Sequence, residues 1–357
     1  MIPIWIGLVL SIYSSMPFLM NDVLFPNALF PDQWHYFRAM ENTRALNFMY
    51  SFEELIENKF IKFYITSSVL SFLPLPYVET IKSVGFFNWF LFIFVFLWLY
   101  SKRFLKGLPL LILLFYPSLV FYTSLSLRDP LILIIMIVSV VFLIDKKYLK
   151  FFIFVSPLLL LKFQNLFFML SLFLFFIIFD KNKFNNLFRY TIFIILILVF
   201  MLFYEETLTL LDKYRNHFYR ENSGEAAYYK PVDGLYQFLA QGAIGSFYYL
   251  FKPFPWEAAN NLQLVQSFEN LIITFLLIIF TKKSFTQSKM ITIKWLSYIL
   301  FVFAIYGIVI FNVGTAARYR YPFIVLYVIG LTYELYKVKA YRFQFKSKLR
   351  SINSQKD

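Results

Sequence analysis

Apolar residues run through this chain in blocks of 15 to 20, separated by short clusters of lysine and arginine. Wound as helices, blocks of that length match the hydrocarbon core of a bilayer. The pattern places spans at 3–20, 84–100, 108–124, 130–145, 148–162, 165–179, 190–204, 262–280, 291–311 and 321–336. It predicts an all-α fold: a polytopic transmembrane helical bundle of ten spans over residues 1–336, followed by a basic tail, 337–357. Two connecting segments, 21–83 and 205–261, are far longer than the rest. The stretch 60–76, "FIKFYITSSVLSFLPLP", is also apolar, but Pro74 and Pro76 cut it short. It reads as a helix lying against the outer face.

Charge sets the orientation. With both termini cytoplasmic, the inner loops and tail hold 19 basic residues, among them Lys102, Lys146, Lys181, Lys282 and Lys337, against three acids. The outer segments hold 14 basic and 15 acidic residues. Such an excess of lysine and arginine marks cytoplasmic loops. A full span at 60–76 would reverse every later loop and destroy the bias. The net charge of +14 is therefore a topology signal, plus attraction of the tail to anionic lipid, and gives no support to nucleic-acid binding.

Composition narrows the chemistry. The chain is 60% hydrophobic and only 15% charged, where a soluble domain carries about a quarter charged residues. It has no cysteine, which removes disulfides and thiol chemistry. His35 and His217 are its two histidines, too few for a multi-histidine metal site, and no metal or other cofactor is expected. The first apolar run lacks a basic start and a small-residue exit, so it reads as a retained span. There is no Gly-rich phosphate loop or fixed-period repeat, and no inner loop exceeds about a dozen residues. A cytosolic nucleotide site has no room.

Ionisable groups at span ends are costly in hydrocarbon and persist where they pair or work. Three outer stretches carry them. In "LFPDQWHYFRAMEN", a helix starting near Pro31 puts Asp32, His35 and Tyr36 on adjoining faces. Asp32 is then either a cap for that helix or a general base for an acceptor hydroxyl. In "SLSLRDP", Arg128 and Asp129 are adjacent in a short outer turn; Arg128 either snorkels to headgroups or binds an anion. In "GTAARYRYPF", Arg318 and Arg320 occupy an acid-free outer turn, where guanidinium groups suit two-pronged phosphate binding. Two residues apart, they diverge by roughly 200° on a helix, so they should do different jobs: one gripping phosphate, the other pairing with an acid or snorkelling. Lys162 and Lys252 could join the same basic pocket. Glu269, inside a span, should be paired or protonated. The second long segment opens with an acidic, helical-looking stretch and closes with "FKPFPWE", an interfacial turn.

These stretches resemble the GT-C superfamily of integral-membrane glycosyltransferases. An acidic residue with a nearby aromatic follows span one, as in "PDQWHYFRAM". "YPSLVFYTSLSLRDPLIL" resembles the third-to-fourth span turn of bacterial members, and "RYRYP" their late Arg-Tyr-x-x-Pro turn. Many members carry tandem acids in the first loop; here Gln33 follows Asp32, which argues against a metal-assisted mechanism. The chain also resembles the O-antigen and capsule repeat-unit polymerases (Wzy), Phe-rich proteins with outer-loop arginines, among which Arg215 and Arg220 would count.

Both resemblances imply glycosyl transfer at the outer face of the bacterial cytoplasmic (inner) membrane, from a polyprenyl-linked sugar donor to an acceptor. Asp32 would deprotonate the acceptor, with His35 and Tyr36 near the sugar. Arg318, Arg320, Arg128, Lys252 and Lys162 would hold the lipid phosphate. The large second loop and lone acid favour a polymerase, which implies a chain-length regulator as a partner. A single-sugar transferase and a flippase for the same lipid-linked sugars are the alternatives.

Overall fold

The structure, a computed structural model, describes residues 2–20, 31–45, 80–179, 185–221, 231–232 and 234–353. Among these residues the chain is helical with no strand. Three helices, Ser83–Ser101, Asn261–Gln287 and Lys289–Val309, are each long and apolar enough to cross a membrane, and two bent helix pairs raise the number to five. That is the make-up of a helical membrane protein. The helix expected at 60–76 lies outside the described residues.

The chain divides into two compact units, Met1–Met169 and Leu170–Asp357. The first contains α1 (Ile4–Tyr13), α2 (Met16–Phe18), α3 (Pro31–Ala45), α4 (Ser83–Ser101), α5 (Leu108–Phe115), α6 (Pro117–Ser124), α7 (Asp129–Ile144), α8 (Tyr148–Val155) and α9 (Leu158–Leu161); α10 (Phe163–Phe179) runs on into the second. Three of the expected spans, 3–20, 108–124 and 148–162, are divided here. A proline holds the residue before it out of the helical region, and Tyr116, before Pro117, is extended at φ −76° and ψ 106°. The run 108–124 therefore splits into α5 and α6. At Pro157 the run 148–162 divides into α8 and α9 without an extended residue, since Ser156 (φ −58°, ψ −34°) and Pro157 (φ −61°, ψ −21°) keep helical angles. There the proline only removes a backbone N–H donor. Between α6 and α7 the axis turns by 119°.

The core of the first unit has its polar-face helix packed on a span. In α3 the buried residues Gln33, Tyr36, Phe37 and Met40 recur at helical spacing, while His35 and Arg38 face outward. Phe37 and Met40 pack against Ile81 and Val84 at the start of α4, with Trp34 and Phe87 at the margin.

The second unit contains α11 (Asn186–Leu202), α12 (Tyr204–Glu221), α13 (Gly234–Phe251), a 3₁₀ turn at Pro255–Glu257, α14 (Asn261–Gln287), α15 (Lys289–Val309) and α16 (Val313–Asn353). Its centre is α16, whose residues 320–331 are buried without a break, as a helix apolar all round should be. Asn312 starts it: its side-chain oxygen accepts from Gly314 N–H at 2.9 Å and Thr315 N–H at 3.2 Å, which satisfies two N–H groups that a helix start leaves open. The "GTAARYRYPF" stretch, expected as a turn, is thus the first part of a helix. The basic tail continues that helix to Asn353.

The segment 205–261, read as an outer loop, is mainly helical where described. Its acidic stretch forms α12 as expected. Residues 234–251 form α13, which the apolar-block pattern missed. This helix packs on α15 at two glycines: a Cβ on Gly245 would stand 2.8 Å from the carbonyl carbon of Gly307. Only a pair of residues without side chains allows backbones this close.

Candidate functional site

In the first unit the structure joins two of the three candidate stretches. The N–H of Ser126 donates to Gln33 Oε1 at 2.8 Å, tying the residue next to Asp32 to the turn that carries Arg128. That turn, residues 125–128, is held from the other side by α4. Asn88 Nδ2 donates to the carbonyls of Leu125 and Leu127, each at 2.8 Å. Ser126 Oγ accepts from Gly85 N–H at 3.0 Å and donates to the Ile81 carbonyl. Gly85 is required, because a Cβ there would stand 2.6 Å from the Ser124 carbonyl oxygen. The backbone groups freed where the helix breaks thus find buried side-chain partners, as buried backbone groups must.

Asp129 and Lys162 form a buried ion pair beside this turn, Nζ to Oδ1 3.3 Å, with side chains 3% and 6% exposed. Asp129 lies in the first turn of α7, where the helix dipole favours a carboxylate. Lys162 sits at the gap between α9 and α10 in extended backbone, φ −162° and ψ 89°. Next to it in the chain, buried Asn165 donates to Met136 Sδ at 3.2 Å. Asp32 and Arg128 are half-buried and Tyr36 is buried. One turn thus carries Arg128 and Asp129 and is tied through Gln33 to the helix that carries Asp32, with Asp129 paired to Lys162.

In the second unit Arg320 is buried, 1% exposed. Its Nη1 donates to the carbonyls of Tyr249 at 2.7 Å, Leu250 at 2.9 Å and Lys252 at 3.4 Å, and its Nη2 to Asn270 Oδ1. Asn270 Nδ2 adds a bond to the Lys252 carbonyl at 2.7 Å. A helix leaves its last four carbonyls unpartnered. Arg320 meets two of those of α13, Tyr249 and Leu250, and the Lys252 carbonyl just past its end. Its five N–H donors suit the task better than an ammonium.

Two more arginines do the same. Arg215 Nη1 donates to the Ile308 carbonyl at the end of α15, 2.8 Å, with its guanidinium 4.9 Å from the Phe311 ring centre. Arg189 Nε donates to the Ile178 carbonyl at the end of α10, 2.6 Å. Arg220 is exposed and bonds Asn216. Lys252 pairs with Glu257 at 3.5 Å on the surface and lies 4.6 Å from the Tyr248 ring centre. Arg318 is half-buried on α16. Its neighbour in the chain, Tyr319, belongs to an aromatic cluster centred on Tyr306, which meets Tyr249, Tyr319 and Phe323 at centroid distances of 5.7, 5.6 and 5.8 Å. Glu269 is buried in α14.

The expectation for Arg318 and Arg320 was that they divide the labour, and their environments do differ. Arg320, however, meets helix-end carbonyls and an amide rather than an acid or lipid headgroups. The cause is α13, whose end was not expected there.

The sequence pattern also passed over a second buried ion pair, Lys294 Nζ to Glu334 Oε1 at 2.6 Å. Trp295 Nε1 donates to the other carboxylate oxygen at 2.8 Å, and Lys294 lies 3.4 Å from the Phe176 ring centre. The available signal was a single lysine in one apolar run facing a single glutamate in the next. Neither the known protein families, the curated proteins nor the solved structures contain a match to this chain.

Proposed function

We propose that this chain is a membrane glycosyltransferase acting on polyprenyl-(di)phosphate-linked sugars, with polymerisation of repeat units as the preferred form of the reaction. The observation that supports it most is the Ser126-to-Gln33 bond, which sets the helix bearing Asp32 against the turn bearing Arg128. In this reading Asp32 takes the proton of an acceptor hydroxyl as that oxygen attacks the anomeric carbon. The bond from the anomeric carbon to phosphate oxygen breaks, and the lipid (di)phosphate leaves with the electron pair. Arg128 stabilises the charge that develops on it. Lys162 and Arg320 are assigned structural roles, since an aspartate and backbone carbonyls already engage them. Arg318 and Lys252 of the second unit remain phosphate-binding candidates; a polymerase handles two lipid-linked substrates and has use for more than one cationic group.

The reading includes ten spans, cytoplasmic termini and a bacterial inner-membrane location. Single cysteines in this Cys-free chain test the topology. An impermeant thiol reagent on intact cells should label Glu225→Cys and spare Lys183→Cys; the reverse pattern overturns the arrangement.

One observation favours a transporter instead: the Lys294–Glu334 pair is an intramembrane charge pair of the kind that lines transport paths. Lipid-linked intermediates in a strain lacking the protein separate the readings. Accumulated single repeats on the outer leaflet are expected. A truncated repeat points to a single-sugar transferase, and retention on the inner leaflet to a flippase. Within the enzyme reading, Asp32→Asn should lower transfer by ~10²–10⁴-fold at normal membrane levels. Asparagine caps a helix nearly as well as aspartate, so near-normal product from this variant removes Asp32 from the mechanism.

A further inference from the structure

Helix α13 carries no charged residue over its 18 positions. One side is accounted for: Gly242, Gly245 and Tyr249 are buried, Gly245 against Gly307, Tyr249 against Tyr306 at 5.7 Å between ring centres. The opposite side is mainly apolar and uncovered, with Gln237 as its exposed polar member. Tyr236 is 84% exposed and Leu239 60%, and Ile244, Phe247 and Tyr248 continue the same side. Just beyond the helix, Trp256 is 79% exposed, with Phe254 stacked on it at 4.9 Å.

The height of α13 is fixed by what it touches. Near its start, Phe238 meets Phe200, two residues from the end of α11, at 6.1 Å. Further on, Gly245 meets Gly307, two residues from the end of α15, and Tyr249 meets Phe303, six residues from that end, at 5.4 Å between ring centres. The helix thus crosses the level at which two apolar helices stop. In a membrane that level is the boundary between headgroups and acyl chains. Charged side chains are costly against acyl chains and α13 has none, while tyrosine and tryptophan are the side chains enriched at the boundary.

We propose that the uncovered side of α13, together with Trp256, is a lipid-binding surface seated in the membrane interface, so that residues 234–251 are embedded rather than part of an extramembrane loop. The occupant is the glycerol and upper acyl region of phospholipid. Trp256 and the tyrosines present an apolar body and a polar tip to it, and Lys252 at the end of the helix offers an ammonium to anionic headgroups. The proposal rests on the chain being a membrane protein and is independent of the reaction it catalyses.

The test uses the full chain in phosphatidylethanolamine–phosphatidylglycerol vesicles, with a spin label on Leu239→Cys, Ile244→Cys or Phe247→Cys. All three positions are exposed, so the variants should fold. Collision rates with oxygen, which concentrates in acyl chains, and with a water-soluble nickel chelate report the surroundings. Two reference labels frame the result: Ile278→Cys on the exposed apolar side of α14, and Tyr341→Cys near the basic end of α16. The α13 labels should show oxygen-to-nickel ratios well above that of Tyr341→Cys and below that of Ile278→Cys. Ratios equal to that of Tyr341→Cys, with Ile278→Cys still in acyl chains, overturn the proposal alone. If Ile278→Cys also reports water, the membrane reading itself fails. Dipolar broadening between α13 labels would mean that a second copy covers this face, and overturns lipid as the occupant.

Discussion

Lys162 in the first unit and Arg320 in the second are both cations sealed inside the protein, and they are neutralised in opposite ways. Lys162 faces a full negative charge, Asp129, at 3.3 Å. Arg320 bonds three helix-end carbonyls and the Asn270 amide. The ammonium is a compact charge whose burial is offset by a counter-ion; the guanidinium spreads its charge over five donors and can be offset by dipoles. The lesson concerns inference. A buried arginine at a membrane boundary is readily taken for an anion site, yet here the carbonyls of α13 are enough to hold it. A half-exposed arginine such as Arg128 or Arg318 is the better candidate for a ligand.

The largest expected effect breaks the first member of the comparison. Lys162→Met leaves Asp129 buried without its counter-charge, and Asp129→Asn does the same to Lys162; each should cost about 3–5 kcal/mol. The double variant Asp129→Asn, Lys162→Met removes both charges and should recover much of the loss. Thermal unfolding of purified protein in detergent measures all three. A double variant as unstable as the sum of the two singles would show that Asp129 and Lys162 do not act as a pair.

Arg320 should give a smaller loss of a different form. Arg320→Gln strands the carbonyls at the end of α13, at about 1–3 kcal/mol for a buried polar group left unmet. Among the described residues no acid pairs with Arg320 whose removal could rescue it: Asn270→Leu should add to the damage, because Asn270 bonds the Lys252 carbonyl as well. Rescue of Arg320→Gln by Asn270→Leu would contradict the carbonyl-capping role.

What was legible in the sequence follows the same division. Uniform apolar runs, 84–100 and 291–311, became α4 and α15 within two residues, because length and hydropathy alone decide them. The runs at 108–124 and 148–162 were legible as apolar but not as broken, although Pro117 and Pro157 stood in view. Helix α13 was lost because its glycines, glutamines and tyrosines dilute its apolar character, and those glycines are what allow it to dock on α15. The site residues Asp32 and Arg128 could be named from local sequence. Their association through Gln33 and Ser126, 93 positions apart, could not. Nor could the role of Arg320, which depends on a helix end 68 to 71 positions away.

The smallest effect separates Arg318 from Arg320 within one helix. Two positions apart on α16, they diverge by roughly 200°, and their surroundings differ accordingly: Arg320 is buried and Arg318 half-buried. Lysine keeps the charge at either place but loses the planar fork. At position 320 the fork binds three carbonyls, so Arg320→Lys should lower the unfolding temperature, and activity should fall only as far as folded protein is lost. Arg318 is half-buried rather than sealed, so Arg318→Lys should lower the unfolding temperature less than Arg320→Lys does. If Arg318 grips a lipid phosphate, transfer per folded molecule should still drop about tenfold, the equivalent of ~1.4 kcal/mol. Measuring both quantities on both variants makes the distinction sharp. Full activity per folded molecule in Arg318→Lys would reduce Arg318 to a lipid anchor, and a stable, inactive Arg320→Lys would return Arg320 to the reaction.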